Sequence, residues 1–331
     1  MPFAQFNRRA FITFLGVSMV AWPLAAQQFE RTRRIGVMML YPENAPAGQA
    51  RASAFRERLE ELGWAIGRNL RLDFYWGVGD PDWARSTAAQ LLSLSPDVIL
   101  ANGTQALEPL QQATRTIPII FIGPSDPGAQ GFVQSLPHPG GNITGFVVLE
   151  PSLGGKFLGL LKEIAPHLKR VPVFVNPEVS GNRVFVDSAI NAAPALAVDL
   201  VAAPIREPTE IEPAITSLRE PDCGLLIPPN TQMNTHRKII IELAARYRLP
   251  AIQAYRAATE EGGLTSYGVD LPELFRKAAE YADRMLRGDK PGDLPVQQPT
   301  KFELAINLTT AKSLGLEVPP ALLAAADEVI E

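Results

Sequence analysis

The chain has 331 residues, of which 46% are hydrophobic and 20% charged, and a formal net charge of −4. These values place it among ordinary globular proteins and exclude a disordered or fibrous chain, and a mildly acidic balance argues against nucleic acid as a partner. The single cysteine, Cys223, excludes an internal disulfide, so the fold is held by its core alone.

The first element is a leader over residues 1–26. Arg8 and Arg9 precede an apolar run from Phe11 to Ala26 that ends in small residues. A basic start, a short apolar stretch and a small-residue end are the parts of a secretory signal peptide. The run is short for a bilayer-spanning helix, which needs about 20 apolar residues. Arg-Arg-x-Phe is similar to a twin-arginine export signal. Leu24 stands three residues before the end of Ala26, which blurs the expected cut near Ala26. An uncleaved leader acting as a membrane tether is the alternative. No cysteine follows the apolar run, so lipid attachment there is excluded. A periplasmic location follows.

Beyond the leader, strand and helix patterns alternate. Ile35–Leu40 is a continuous apolar run, as expected of a parallel strand covered on both faces. Phe55, Leu59 and Leu62 mark a helix that Gly63 ends. Then follow a strand at 70–76, a helix at 82–94, a strand at 98–101, a helix from 105 and a strand at 117–122. This order implies a doubly wound parallel sheet. Residues 143–147 form a short strand near a crossover, and a second run begins. Helices at 152–165, 182–194, 208–219 and 232–247 alternate with strands at 171–175, 197–201, 224–227 and 251–253. Residues 264–268 read as a strand, and Leu271, Leu274, Phe275, Ala278, Ala282 and Met285 mark a helix. A Pro-rich connector at 291–299 leads to a strand at 302–308, and the last residues read as short helices.

The reading is therefore α/β: two doubly wound parallel-sheet lobes joined by about three crossover segments. The expected first lobe is 33–146 plus 264–290, and the second 147–263 plus 300–331, with a ligand cleft between them that closes by a hinge.

Motifs for catalysis are absent. His138, His167 and His236 have no neighbours at metal-ligand spacing, and no HExxH, CxxC, GxSxG, Walker or GxGxxG pattern occurs. No metal, no cofactor and no catalytic residue is expected. Cys223 starts the apolar run Cys223–Ile227 and reads as an inert core thiol.

What the sequence offers is polar loops where strands end, the place where doubly wound sheets bind ligands. In the first lobe these hold Tyr41, Asn102, Thr104, Ser125 and Asp126. In the second they hold Asn176, Asn230 and Tyr255, with Ser266 near the crossover. Amides, hydroxyls and helix N-termini suit a carboxylate, and Asp126 suits an ammonium group. Each also has a structural reading: Asp126, Thr104 and Asn230 stand where helix caps stand, and the tyrosines fit a rim or a core.

Three C-terminal segments carry a resemblance: Gly262-Gly263-Leu264-Thr265-Ser266-Tyr267-Gly268, Lys290 to Leu308 (KPGDLPVQQPTKFELAINL), and Thr310-Ala311-Lys312-Ser313-Leu314-Gly315-Leu316. With Asn102-Gly103-Thr104, Ser125-Asp126-Pro127, Pro139–Gly145 and the Arg-Arg-x-Phe leader, the chain resembles the ABC-transporter substrate-binding family that includes TrpX-like proteins. The resemblance implies a type I periplasmic-binding-protein fold. It also implies a monomeric receptor that delivers a small polar solute, such as an amino acid, to an inner-membrane permease driven by a cytoplasmic ATPase. Two other readings stay open: a sensory binding protein serving a signalling partner, and a two-lobed glycosyltransferase-like enzyme.

Overall fold

The apolar runs become the centres of two sheets. The computed structural model describes residues 31–331 apart from 78–79, 125, 151, 178–181 and 219, so the leader at 1–26 lies outside the described residues. Strands β1 (Arg33–Met39), β2 (Leu70–Trp76), β3 (Val98–Asn102), β4 (Ile119–Ile122) and β5 (Ile143–Phe146) form one sheet in the order β2-β1-β3-β4-β5, parallel throughout. Every residue of β3 and β4 is buried, which accounts for the apolar runs Val98–Ala101 and Ile119–Ile122; the polar Asn102 ends β3. Helices α1 (Pro46–Glu61), α2 (Pro81–Ser93) and α3 (Thr104–Ala113) follow the first three strands.

The second sheet contains β6 (Arg170–Val175), β7 (Asp199–Pro204), β8 (Leu225–Leu226), β9 (Ala251–Gln253), β10 (Thr265–Gly268), β11 (Glu303–Asn307) and β12 (Glu328–Ile330). Their order is β12-β11-β10-β9-β8-β6-β7, and only the β10–β11 pair is antiparallel. Helices α4 (Leu153–Ile164) and α5 (Asn182–Ala192) lie in one cluster with β6, β8 and β9. On the opposite face, α6 (Ile211–Thr216), α7 (Thr231–Thr235) and α8 (Arg237–Arg246) bury Ile211, Ile215, Met233, Ile240 and Leu243 against Phe174, Leu225 and Ile227. The short helices α9 (Arg256–Glu260), α11 (Leu308–Ser313) and α12 (Pro320–Ala325) complete this lobe.

Several expectations change. The helix expected at 232–247 breaks at His236 into α7 and α8. The strand expected from Ala197 starts at Asp199, because Ala197 adopts a left-handed conformation with φ of 51°. The short helices expected after β11 form as α11 and α12, and the chain then adds an unexpected strand, β12, because Val329 and its neighbours pair with β11. Residues 264–290, expected as one piece of the first lobe, divide between the lobes. Strand β10 lies between β9 and β11 in the second sheet, while the amphipathic helix α10 (Leu271–Leu286) packs on α1 in the first lobe. Arg58 on α1 bonds Glu280 at 2.8 Å and Trp64 Nε1 donates to Asp283 at 2.9 Å, fixing that helix pair.

The Pro-rich connector has a structural task. Its Gln297 amide donates to the Gly145 carbonyl at 2.9 Å and the Val147 amide donates to the Gln297 carbonyl at 3.0 Å. Thr144 Oγ1 donates to the Leu294 carbonyl at 2.6 Å and Tyr281 donates to the Pro295 carbonyl at 2.7 Å. The connector thus lies along β5 and covers the sheet edge, where unpaired backbone groups would otherwise invite foreign strands. The Pro139–Gly145 and Lys290–Pro299 motifs are two halves of this one contact.

The last residue of β10, Gly268, leaves no room for a side chain: a Cβ would stand 1.7 Å from the Ala254 carbonyl oxygen. Gly268→Ala should therefore destabilise the protein by about 1–3 kcal/mol or more, the range for overpacking a tight site. Urea unfolding of the variant beside the wild type measures it, and equal midpoints would contradict this packing.

Candidate ligand cleft

The carboxyl ends of both sheets supply the polar loops. Tyr41 follows β1 and is 2% exposed. Across from it, Asn234 on α7 of the second lobe donates from Nδ2 to the Tyr41 hydroxyl at 2.7 Å. Tyr255 follows β9 and stands at the N-terminus of α9. Burial, and next the neighbouring Tyr41, push its hydroxyl pKa well above the usual phenol value, against a smaller opposite effect of Arg51. Tyr255 is a neutral hydroxyl at any physiological pH. The guanidinium of Arg51, on α1, lies 4.4 Å from the Tyr41 ring centre and 6.0 Å from that of Tyr255. Tyr41, Asn234, Tyr255 and Arg51 therefore form one cluster built from both lobes.

In the first lobe, Asn102 ends β3 and is 5% exposed, and its Oδ1 has no hydrogen-bond partner among the described residues. Such buried acceptors are rare, and each asks for a donor. The next residue, Gly103, caps α3 with φ of 94°, which favours glycine. A Cβ on Gly123, in the loop after β4, would stand 3.2 Å from Gly103 Cα, so these two loops touch. Gly103 takes the cap position that the sequence left open to Thr104, and Thr104 opens the helix with no side-chain cap bond in its place. Asp126 accepts from the Ala129 amide at 3.0 Å through Oδ1, closing a turn rather than starting an α-helix. Ser125 lies outside the described residues.

In the second lobe, Asn176 follows β6 and is 7% exposed. Asn230 Oδ1 accepts from the Met233 amide at 3.1 Å, so its oxygen caps α7. Asn230, Asn234 and Tyr255 line a common small recess. Ser266 is different. It is fully buried in β10, and its hydroxyl accepts from Thr259 Oγ1 at 2.7 Å. The structure does not bring it to the strand-end loops; it ties α9 to β10.

The sequence reading missed Arg51, Asn234 and Arg237. A signal existed for Arg51: it stands four residues before Phe55 and eight before Leu59, a charge on the apolar stripe of an amphipathic helix. Elsewhere, donor atoms of Glu220, Asp222 and Cys223 lie within 4.8 Å of one another. Glu220 is paired with Arg170 at 2.8 Å, and burial pushes the Cys223 thiol pKa up, away from the thiolate a metal prefers.

A family model described as ABC transporter substrate binding protein matches residues 36–330. The chain belongs to this ABC transporter substrate-binding family. A tyrosine-binding protein of Clostridioides difficile (strain R20291) is 28% identical over 291 residues, spanning 87% of this chain and 82% of that protein. A structure from Streptococcus pneumoniae in complex with L-Trp is 23% identical and superimposes with a TM-score of 0.84, covering 90% of this chain and all of that one. The ligand-free, open structure of a substrate-binding protein with adhesive properties from Clostridium difficile is 28% identical, covers 90% and 99% of the two chains, and reaches 0.68. The fold is that of the type I periplasmic binding proteins, and the protein is a small-solute receptor. Members of this family typically work outside the cytoplasm. Among the described residues no helix is long and apolar enough to cross a membrane.

The Tyr41–Asn234 hydrogen bond exists only while the lobes are together. Tyr41→Phe should weaken the closed form by about 0.5–1.5 kcal/mol, the net worth of one such bond. Small-angle scattering of the ligand-free variant should give a larger radius of gyration than wild type; an unchanged radius would mean that the bond does not hold the lobes.

Proposed function

We propose that this receptor captures an amino acid, or a close relative bearing an ammonium group, and delivers it to an inner-membrane permease coupled to a cytoplasmic ATPase. The observation that carries the ligand class is the buried Asn102 Oδ1, without a partner among the described residues, in a loop that touches the one leading to Asp126. Two acceptors at the ends of neighbouring strands β3 and β4 suit an ammonium group, which brings three donors and a positive charge. The tyrosine and tryptophan ligands of the two relatives support the same class. Tyr41, Thr104, Ser125, Asn176, Asn230 and Tyr255 supply the remaining contacts, with Ser266 acting from behind through Thr259.

Lobe closure is the working step. Contacts made by both lobes exist only in the closed form, so ligand shifts the equilibrium by its difference in affinity for the two forms. The better match to the tryptophan complex than to the open, ligand-free relative, together with the Tyr41–Asn234 bond, supports a closed arrangement here. The permease then reads the closed shape. Export through the leader at 1–26, cut near Ala26, places the receptor in the periplasm; the Arg8-Arg9 pair supports a twin-arginine route, and Lys-Lys at these positions would stop export if that route operates.

A thermal-shift screen of amino acids on the mature protein tests the ligand class. A true ligand at a hundred times its dissociation constant stabilises the fold by about 2.7 kcal/mol. Asp126→Asn should weaken that ligand's binding by about 1.5–3 kcal/mol, the range for hydrogen bonds to charged groups. Equal affinity in a folded Asp126→Asn protein would remove the ammonium role. Mass spectrometry of molecules released from the denatured receptor identifies the ligand directly, and release of a compound without an amino group would overturn the class.

A further inference from the structure

A second cavity, of about 430 Å³, lies between the lobes, and among the strand-end site residues only Tyr255 lines it. Its walls include Ala47, Ala50 and Arg51 from α1, Arg237 from α8, and Val269 from the crossing that joins β10 to α10. Three arginines line it. Arg237 is paired with Glu261 and donates to the Asn234 carbonyl at 3.0 Å. Arg256 is paired with Glu260 at 2.8 Å and also with Glu328. Arg51 alone of the three has no hydrogen bond and no ion pair among the described residues, although it is 5% exposed.

Burying a guanidinium without an anion is expensive. The Tyr41 and Tyr255 rings attract the charge but do not accept its five N–H donors as a carboxylate does in a bidentate pair. We infer that this cavity is a second binding site, for a small organic monocarboxylate whose carboxylate pairs with Arg51. The rest of the lining selects within the anions. Ala47, Ala50, Val269 and Leu271 offer an apolar bed for the body of the molecule. Asp270, which caps α10, and Glu303 also line the cavity, and their charges disfavour a multiply charged anion such as phosphate.

Because the walls come from both lobes and a crossing, an occupant binds the closed form better than the open one and so favours closure. The site therefore adjoins the cleft at Tyr255 and couples to it, but Asn102 and Asp126 do not line it. It goes beyond the amino-acid reading of the cleft and stands without it.

The test uses the mature protein and a panel of monocarboxylates from acetate to 3-phenylpropanoate, each beside its amide, with inorganic phosphate as a further probe. At millimolar concentration, carboxylates with an apolar body should raise the melting temperature, while the amides and phosphate should not. The response should persist in the presence of a saturating amino acid from the thermal-shift screen, which separates this site from the cleft; competition between the two would place the carboxylate in the cleft and overturn the site. Arg51→Gln and Arg51→Met should weaken the carboxylate by about tenfold or more, the loss expected when a charge-assisted pair is removed. Without ligand, Arg51→Met should melt no lower than wild type, because it removes an unpaired buried charge. A panel without any response, amides or phosphate that act as well as the carboxylates, or an unchanged response in Arg51→Met overturns the site. A clear drop in the ligand-free melting temperature of Arg51→Met makes Arg51 a structural residue and overturns it too.

Discussion

The constraint on which this molecule depends is that its central strands are covered on both faces. The middle of a parallel strand between two helical layers has room only for apolar side chains, as in Val98–Ala101 of β3 and in β4, where every position is buried. Polar groups are thereby driven to the strand ends. The chain turns there, backbone amides are free, and helix N-termini begin. Two such sheets offer polar groups at their carboxyl ends almost by default: the candidates Tyr41, Asn102 and Asp126 come from one, and Asn176, Asn230 and Tyr255 from the other. Specificity is then a matter of which few polar atoms in these loops the fold itself leaves unused.

Seen this way, the loop residues fall into distinct kinds. Asn230 spends its oxygen on the Met233 amide and Asp126 spends one oxygen on Ala129, so each does structural service and retains capacity for a ligand. Asn102 Oδ1 has no such task among the described residues. Ser266 accepts from Thr259 inside the second lobe. The contrast between Asn102 and Ser266, two polar residues that are almost equally buried, lies in whether a partner has been provided.

The α/β architecture was legible in the sequence because its signals are strong and local. Apolar runs such as Ile35–Leu40 and Ile117–Ile122 announce doubly covered strands, and the stripe from Leu271 to Met285 announces α10. Boundaries moved where a single backbone angle decided them, as at Ala197 and His236. The division of 264–290 between the lobes was not legible, since a strand's own pattern does not say which sheet it joins; β10 is placed by its pairing with β9 and β11, partners that the pattern does not name. The loop residues could be proposed as a set, because the position of a strand end follows from the pattern. Their partners could not: Asn234 reaches Tyr41 from a distant part of the chain, and the Arg51–Tyr41–Tyr255 cluster depends on how two lobes meet. Arg51 left a trace, a charge on an apolar stripe, but such a trace does not say what lies opposite.

The connector laid along β5 has a mechanical consequence. The segment leaving the first lobe after Phe146 and the segment returning to the second lobe through Gln297 run side by side, joined by backbone hydrogen bonds on both sides of Gln297. Two of the connections between the lobes thus behave as a single two-stranded ribbon rather than as independent tethers. A ribbon bends readily across its flat face and resists shear within its plane. With the third strap at Val269 set apart from it, the lobes are left free to swing but not to slide, so a loop that meets its partner in one closure meets the same partner in the next.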